Sequence, residues 1–133
     1  MNKIERFEDI IAWQRARALT KEVYASTRVG QFAKDYGPKD QIQRASVSTM
    51  SNIAEGFERG GDREFIQFLS NSKGSCGEVK SQLCVALDQS YISTAGFGEL
   101  YAKADEVSRL VGGFMVYLRQ SQIGGHKFKG RSC

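Results

Sequence analysis

Histidine is almost missing from this sequence: the only one, His126, lies near the C-terminus, within eight residues of the last. A folded Ser-His or Cys-His pair for nucleophilic catalysis is therefore excluded, as are the inward Glu-x-x-His pairs of a di-iron bundle. Proline occurs once, at Pro38, and β-branched alternation is weak, which argues against a fold of strands and tight turns. The three cysteines, Cys76, Cys84 and Cys133, are odd in number and lack CxxC spacing, so neither a disulfide framework nor a zinc site is expected. No phosphate-cradling GxxxxGK[ST] loop and no GxGxxG turn occurs. No apolar run approaches the roughly 20 residues of a membrane span, and the opening MNKIERFEDIIAWQRAR has no apolar export-signal centre. These absences lead to the expectation of a cytoplasmic, non-enzymatic protein that needs no metal or cofactor.

What is present is helical. At 133 residues, with 41% hydrophobic and 26% charged residues, the chain suits one globular domain with a continuous core. Four segments carry apolar residues at helical spacing. The first runs from about Glu5 to Arg28, with Phe7, Ile10, Ile11, Leu19, Val23 and Tyr24 as its stripe and Trp13 and Ala16 beside it. Gly37-Pro38 reads as the connection to the second, Lys39 to Glu58, in which Pro38 is placed where a missing N–H costs nothing. Gly60-Gly61 stops it, and Asp62 is the expected cap of the third, Arg63 to Gln89. The seam of that helix, Phe65, Leu69, Ser72, Cys76, Val79, Leu83 and Ala86, steps by three and four residues. Gly74 and Gly77 weaken it by up to ~1 kcal/mol each but leave room for close helix approach. The fourth, capped by Ser93 or Thr94 and running to about Gln120, has the seam Leu100, Ala104, Val107, Val111, Phe114 and Leu118. Long helices with short connections predict an all-α, antiparallel up-down-up-down four-helix bundle over residues 1–122, followed by a flexible basic tail over 123–133.

The charge is unevenly placed. Four of the 19 basic residues, Arg119, Lys127, Lys129 and Arg131, follow residue 118 with no acid among them, so the preceding 15 basic and 15 acidic residues balance. The net charge of +4 is thus a property of the tail. Along the second helix Arg44, Ser48, Ser51, Asn52, Glu55 and Arg59 recur at steps of three and four and form one polar stripe. Either it is a solvated face carrying a Glu55–Arg59 pair, or its small polar residues mark a place where another helix or subunit packs close. Cys76 falls in the apolar seam and is expected as a small core residue with an unreactive thiol.

The stretch QIQRASVSTMSNIAEGFERGG, from Gln41 to Gly61, resembles the signature of the four-helix-bundle family of 23S rRNA intervening-sequence proteins. FEDIIAWQRARALTKEVY resembles that family's opening helix, and EFIQFLSNSKGSCGEVKSQL its third; together the likeness covers roughly residues 6–92. Two departures are visible: Gln43 stands where the family often has a second arginine, and Met50 where a proline is usual, which should leave the second helix straighter. The resemblance implies a ring-like homo-oligomer, commonly a pentamer. It also implies a link to RNA or to a nucleic-acid-handling protein, because members are encoded in insertions within ribosomal RNA genes. A related family assists the reverse transcriptase of diversity-generating retroelements. Candidate phosphate contacts are Arg15, Arg17, Lys21, Arg44, Arg59 and Arg63, with Lys127, Lys129 and Arg131 of the tail. Without aromatic residues interleaved among them, recognition of backbone or shape is expected, not of base sequence. The alternative is a protein–protein scaffold with no nucleic-acid role.

Overall fold

The structure, a computed structural model, describes residues 4–123. Helices α1 (Ile11–Thr27), α2 (Tyr36–Glu58), α3 (Asp62–Asp88) and α4 (Thr94–Ile123) follow one another, with 3-10 turns at Phe7–Asp9 and Phe32–Lys34. Each helix packs against its sequence neighbours, and α4 closes back on α1, so that α1 and α3 lie across the bundle from each other. The described residues contain no strand. This is the expected four-helix arrangement.

The α3 seam is buried at every expected position, Phe65 through Ala86. In α1 and α4 the seams shift. Ile11 is 50% exposed, whereas Ala12, Trp13, Ala16 and Thr27 join the core. In α4 Phe114 is half-buried, and Met115 and Ser108 are buried with the expected Leu100, Ala104, Val107, Val111 and Leu118. A helix of 3.6 residues per turn drifts about 20° per heptad from a strict seven-residue repeat, which over the length of α4 is enough to exchange neighbours at the seam's edge.

The helix ends also differ from expectation. The opening is not one helix from Glu5: the Asp9 carboxylate accepts the backbone N–H groups of Glu5 (3.0 Å) and Arg6 (3.1 Å) and holds a separate turn. Those two N–H groups, Glu5 first, keep the Asp9 carboxyl below its ordinary pKa. Ile10 then adopts an extended conformation and enters the core before α1 begins. Helix α2 starts three residues earlier than expected, with Pro38 inside its first turn, and runs unbroken past Met50. Gly61, not Asp62, occupies the cap position of α3, because Gly60 takes a positive φ of 84° and brings the chain round one residue sooner. At α4 the cap is Ser93, whose Oγ accepts the Gly96 N–H at 3.0 Å.

Candidate interaction surfaces

The small polar residues of α2 serve its packing on the neighbouring helices. Ser46 and Thr49 are fully buried, and each donates its hydroxyl to its own helix, to Gln43 O (2.9 Å) and Ala45 O (2.8 Å). That satisfies the hydroxyls without a partner from elsewhere. Ser72 of α3 donates to Thr49 O at 2.6 Å, and Ser48 meets Ser75 hydroxyl to hydroxyl at 2.9 Å. Asn52 donates to Ser48 O (2.9 Å) and Ser48 Oγ (3.1 Å). At Gly56 the helices approach closely: a Cβ there would lie 2.7 Å from Phe68 Cβ and 2.9 Å from a Phe65 ring carbon. The polar stripe therefore divides. Ser48 turns toward α3 of the same chain and Asn52 bonds back to Ser48, while Arg44, Ser51, Glu55 and Arg59 remain exposed.

Three of the six candidate phosphate-binding cations among the described residues already have carboxylates. Arg15 pairs with Glu106 of α4 (3.5 Å), Arg44 with Asp40 (2.7 Å) and Arg59 with Glu55 (2.9 Å). The Arg59 guanidinium also lies 5.0 Å from the Phe68 ring centroid. Surface pairs of this kind stabilise by well under ~1 kcal/mol each, yet they cancel the charge a phosphate would see. Arg17 and Lys21 differ. Neither forms an ion pair among the described residues; Arg17 rests 5.7 Å from the Trp13 ring centroid, and both border a shallow depression of about 430 Å³ between α1 and α2. Gln14, Ala18, Thr20 and Met50 complete it, and the Thr20 hydroxyl ties the two helices by donating to Ala16 O (2.8 Å) or Ser46 O (3.1 Å). Arg63, at the start of α3, is exposed and stands apart from this pair. Lys127, Lys129 and Arg131 lie outside the described residues.

Two features escaped the sequence reading. Arg28 continues the row of Arg17 and Lys21 at i+4 and i+11, and its Nε donates to Tyr24 O at 3.3 Å. The spacing was there to be read, but the expected helix ended at that residue. The second is a cluster joining α3 to α4. The Lys80 ammonium meets Asp105 at 3.1 Å and lies 5.5 Å from the Tyr101 ring centroid, and Arg109 takes the other Asp105 oxygen. Only tertiary structure brings Lys80 to Asp105.

Cys76 is fully buried and donates its thiol to Ala104 O at 3.0 Å; burial pushes its pKa above the ordinary value. Cys84 is exposed. Iodoacetamide on the native protein is accordingly expected to alkylate Cys84 and to spare Cys76 until denaturant is added. Peptide mass mapping reads this directly, and equal labelling of the two would contradict the packing of α3 on α4. Among the described residues no three His, Cys, Asp or Glu side chains gather as metal ligands would, and no helix is long and apolar enough to cross a membrane.

The family pattern of the 23S rRNA-intervening sequence protein matches residues 8–113, spanning α1 to most of α4. The chain belongs to that family. A solved member of the S23 ribosomal protein family from Bacteroides thetaiotaomicron, itself a protein with unknown function, has the same fold. Its TM-score is 0.73 at 18% identity, over 79% of this chain and 98% of that one. A search of curated protein sequences found no match. For this 23S rRNA-intervening sequence protein, the signature stretch SNIAEGFERGG has structural duties: Ile53 is fully buried, Gly56 admits α3, and Gly60 supplies the left-handed turn.

Proposed function

We propose that this protein is a non-catalytic, self-associating helical scaffold, a ring such as the pentamer its family resemblance implies. The observation that carries this reading is the outward face of α3. Ser70, Gly74, Gly77 and Ser81 lie along it, all exposed, and a Cβ at Gly74 or Gly77 would meet nothing within 4 Å. No contact inside the chain calls for glycine there, yet each glycine weakens the helix by up to ~1 kcal/mol relative to alanine. A helix that another subunit approaches closely has a use for both. The described residues include no histidine, and the seam thiol is buried.

A second reading, association with RNA, is favoured by Arg17 and Lys21, the cations of α1 without carboxylate partners, and by the basic tail. Fluorescence anisotropy with single-stranded RNA at low and high salt, on the full chain and on residues 1–122, separates the two. The scaffold reading expects no binding, or binding that disappears with the tail. Salt-dependent binding that survives truncation supports the RNA reading. In that case Arg17→Gln with Lys21→Gln is expected to flatten the log K against log[salt] slope by about 1.4, two phosphates at ~0.7 each.

A further inference from the structure

Positive charge is not spread evenly over the bundle. Residues 17–50, from the middle of α1 through the connection to most of α2, hold six Lys or Arg and only three carboxylates. All three carboxylates are engaged: Glu22 by Lys103 of α4 (2.9 Å), Asp40 by Arg44 (2.7 Å) and Asp35 by the Tyr91 hydroxyl (2.6 Å). Helix α3 has four acids against three cations, and α4 has three of each. Arg17, Lys21 and Arg28 have no ion pair among the described residues, and their steps of four and seven residues turn the helix by only about 40° and 20°. They form one row about 16 Å long. Resting on the second reading above, we infer that this α1/α2 face takes single-stranded RNA, its cations on the phosphates and Tyr36 stacked on a base.

Helix α2 carries the row onward. The Gln43 amide donates to Thr27 Oγ1 at 2.8 Å, which sets this side of α2 against the C-terminal end of α1. Lys39 and Tyr36 lie one and two turns before Gln43 on the same side, past the Arg28 end of the row. Tyr36 is 74% exposed, and the Lys39 ammonium lies 5.7 Å from its ring centroid. The candidate cations read from the sequence lacked an aromatic partner; the fold supplies this one. A cationic face that follows the backbone, with an exposed ring on which a base can stack, is the combination single-strand binders use. In a duplex the bases are already stacked and closed to such a ring, so a single strand is the better fit. Stacking accepts any base, which keeps recognition independent of sequence.

The test is fluorescence anisotropy on the full chain across a salt series, with circular dichroism as the check on folding. The probes are a single-stranded RNA of mixed sequence, the same RNA as a duplex, and inorganic polyphosphate as competitor. The tail is common to all variants, so differences between them report the folded part. Arg17→Gln, Lys21→Gln and Arg28→Gln together are expected to flatten the log K against log[salt] slope by about 2, three phosphates at ~0.7 each. Tyr36→Ala is expected to weaken RNA binding about tenfold with the slope unchanged, and to leave polyphosphate, which has charge but no bases, unaffected. Tyr36→Phe is expected to bind as wild type does, and the duplex more weakly than the single strand. Arg63→Gln with Lys73→Gln removes two cations of α3 that also lack ion pairs among the described residues, and is expected to leave the slope unchanged. An α3 pair that flattens the slope as much per charge as the α1 triple overturns the choice of face. Tyr36→Ala that binds RNA like wild type, or loses polyphosphate equally, overturns the stacking. A triple variant that keeps its RNA binding but loses mass in light scattering overturns the assignment in favour of a contact between copies. Wild type that binds no RNA at low salt, or whose binding disappears in residues 1–122, overturns the RNA reading beneath it, a separable failure.

Discussion

Phe32→Ala is expected to lower the unfolding free energy by about 3–5 kcal/mol, the range for deleting a buried aromatic ring. Phe32 is 1% exposed although it sits in the connection between α1 and α2, where side chains usually face solvent. Its ring stacks on Tyr91 of the α3–α4 connection, with centroids 5.3 Å apart. The Tyr91 hydroxyl donates in turn to the Asp35 carboxylate, at 2.6 Å, beside the first residue of α2. One ring thus fastens both connections at the same end of the bundle. Removing it leaves a cavity and frees both loops. Urea denaturation of the variant is expected to show a lower midpoint with an unchanged slope. Tyr91→Phe, which keeps the stacking and loses one part-buried hydrogen bond, is expected to cost less than Phe32→Ala. If the two variants were equally stable, the hydrogen bond and not the ring would be the fastening. The bond also holds the Tyr91 phenol above its ordinary pKa, chiefly through the Asp35 carboxylate. Its contribution is therefore complete below about pH 10 and is lost as pH rises through the raised value.

Gly56→Ala is expected to destabilise by about 1–3 kcal/mol, opposite in sign to what helix propensity alone predicts. An alanine inside a helix ordinarily gains up to ~1 kcal/mol over glycine. Here the new methyl would stand 2.7 Å from Phe68 Cβ, an atom fixed to the α3 backbone and unable to swing away, and 2.9 Å from the Phe65 ring. Helices α2 and α3 must separate or rotate to admit it. That movement also strains the Ser72–Thr49 and Ser48–Ser75 hydrogen bonds one and two turns away. Thermal unfolding followed by circular dichroism reads the change, and a melting temperature equal to or above wild type would show that α3 is not held at this distance. Phe65 carries a further burden. Its ring lies edge-on to Phe57 at 6.1 Å and to Phe114 at 5.2 Å, so displacing it disturbs contacts with both neighbouring helices.

Much of this architecture was legible in the order of residues. The α3 seam from Phe65 to Ala86 and the stops at Gly60 and Gly61 follow from side-chain period and backbone conformational freedom. Both act within a few residues of chain. The seam in α4 was legible in outline and shifted at its edge, where Met115 displaced Phe114 from the deepest position. The early end of the first 3-10 turn was not legible, because Asp9 could as well have faced solvent on a continuous helix as have accepted two backbone N–H groups. For the candidate site the limit came sooner. That α2 carries a polar stripe could be read directly. That Ser48 meets α3 and holds Asn52, while Arg44 and Arg59 stay exposed beside their own carboxylates, could not.

The sequence by itself determined the number of helices, the apolar face of each and the balance of charge between body and tail, because all of these depend on local spacing. Tertiary structure alone decided which cations are neutralised and which stand free, and that Gly56 is filled by a neighbour while Gly74 and Gly77 face open space. Those outcomes depend on the relative rotation and register of helices that are distant in the chain. A period of 3.6 residues specifies the direction of a side chain from its own axis, but not what stands opposite it.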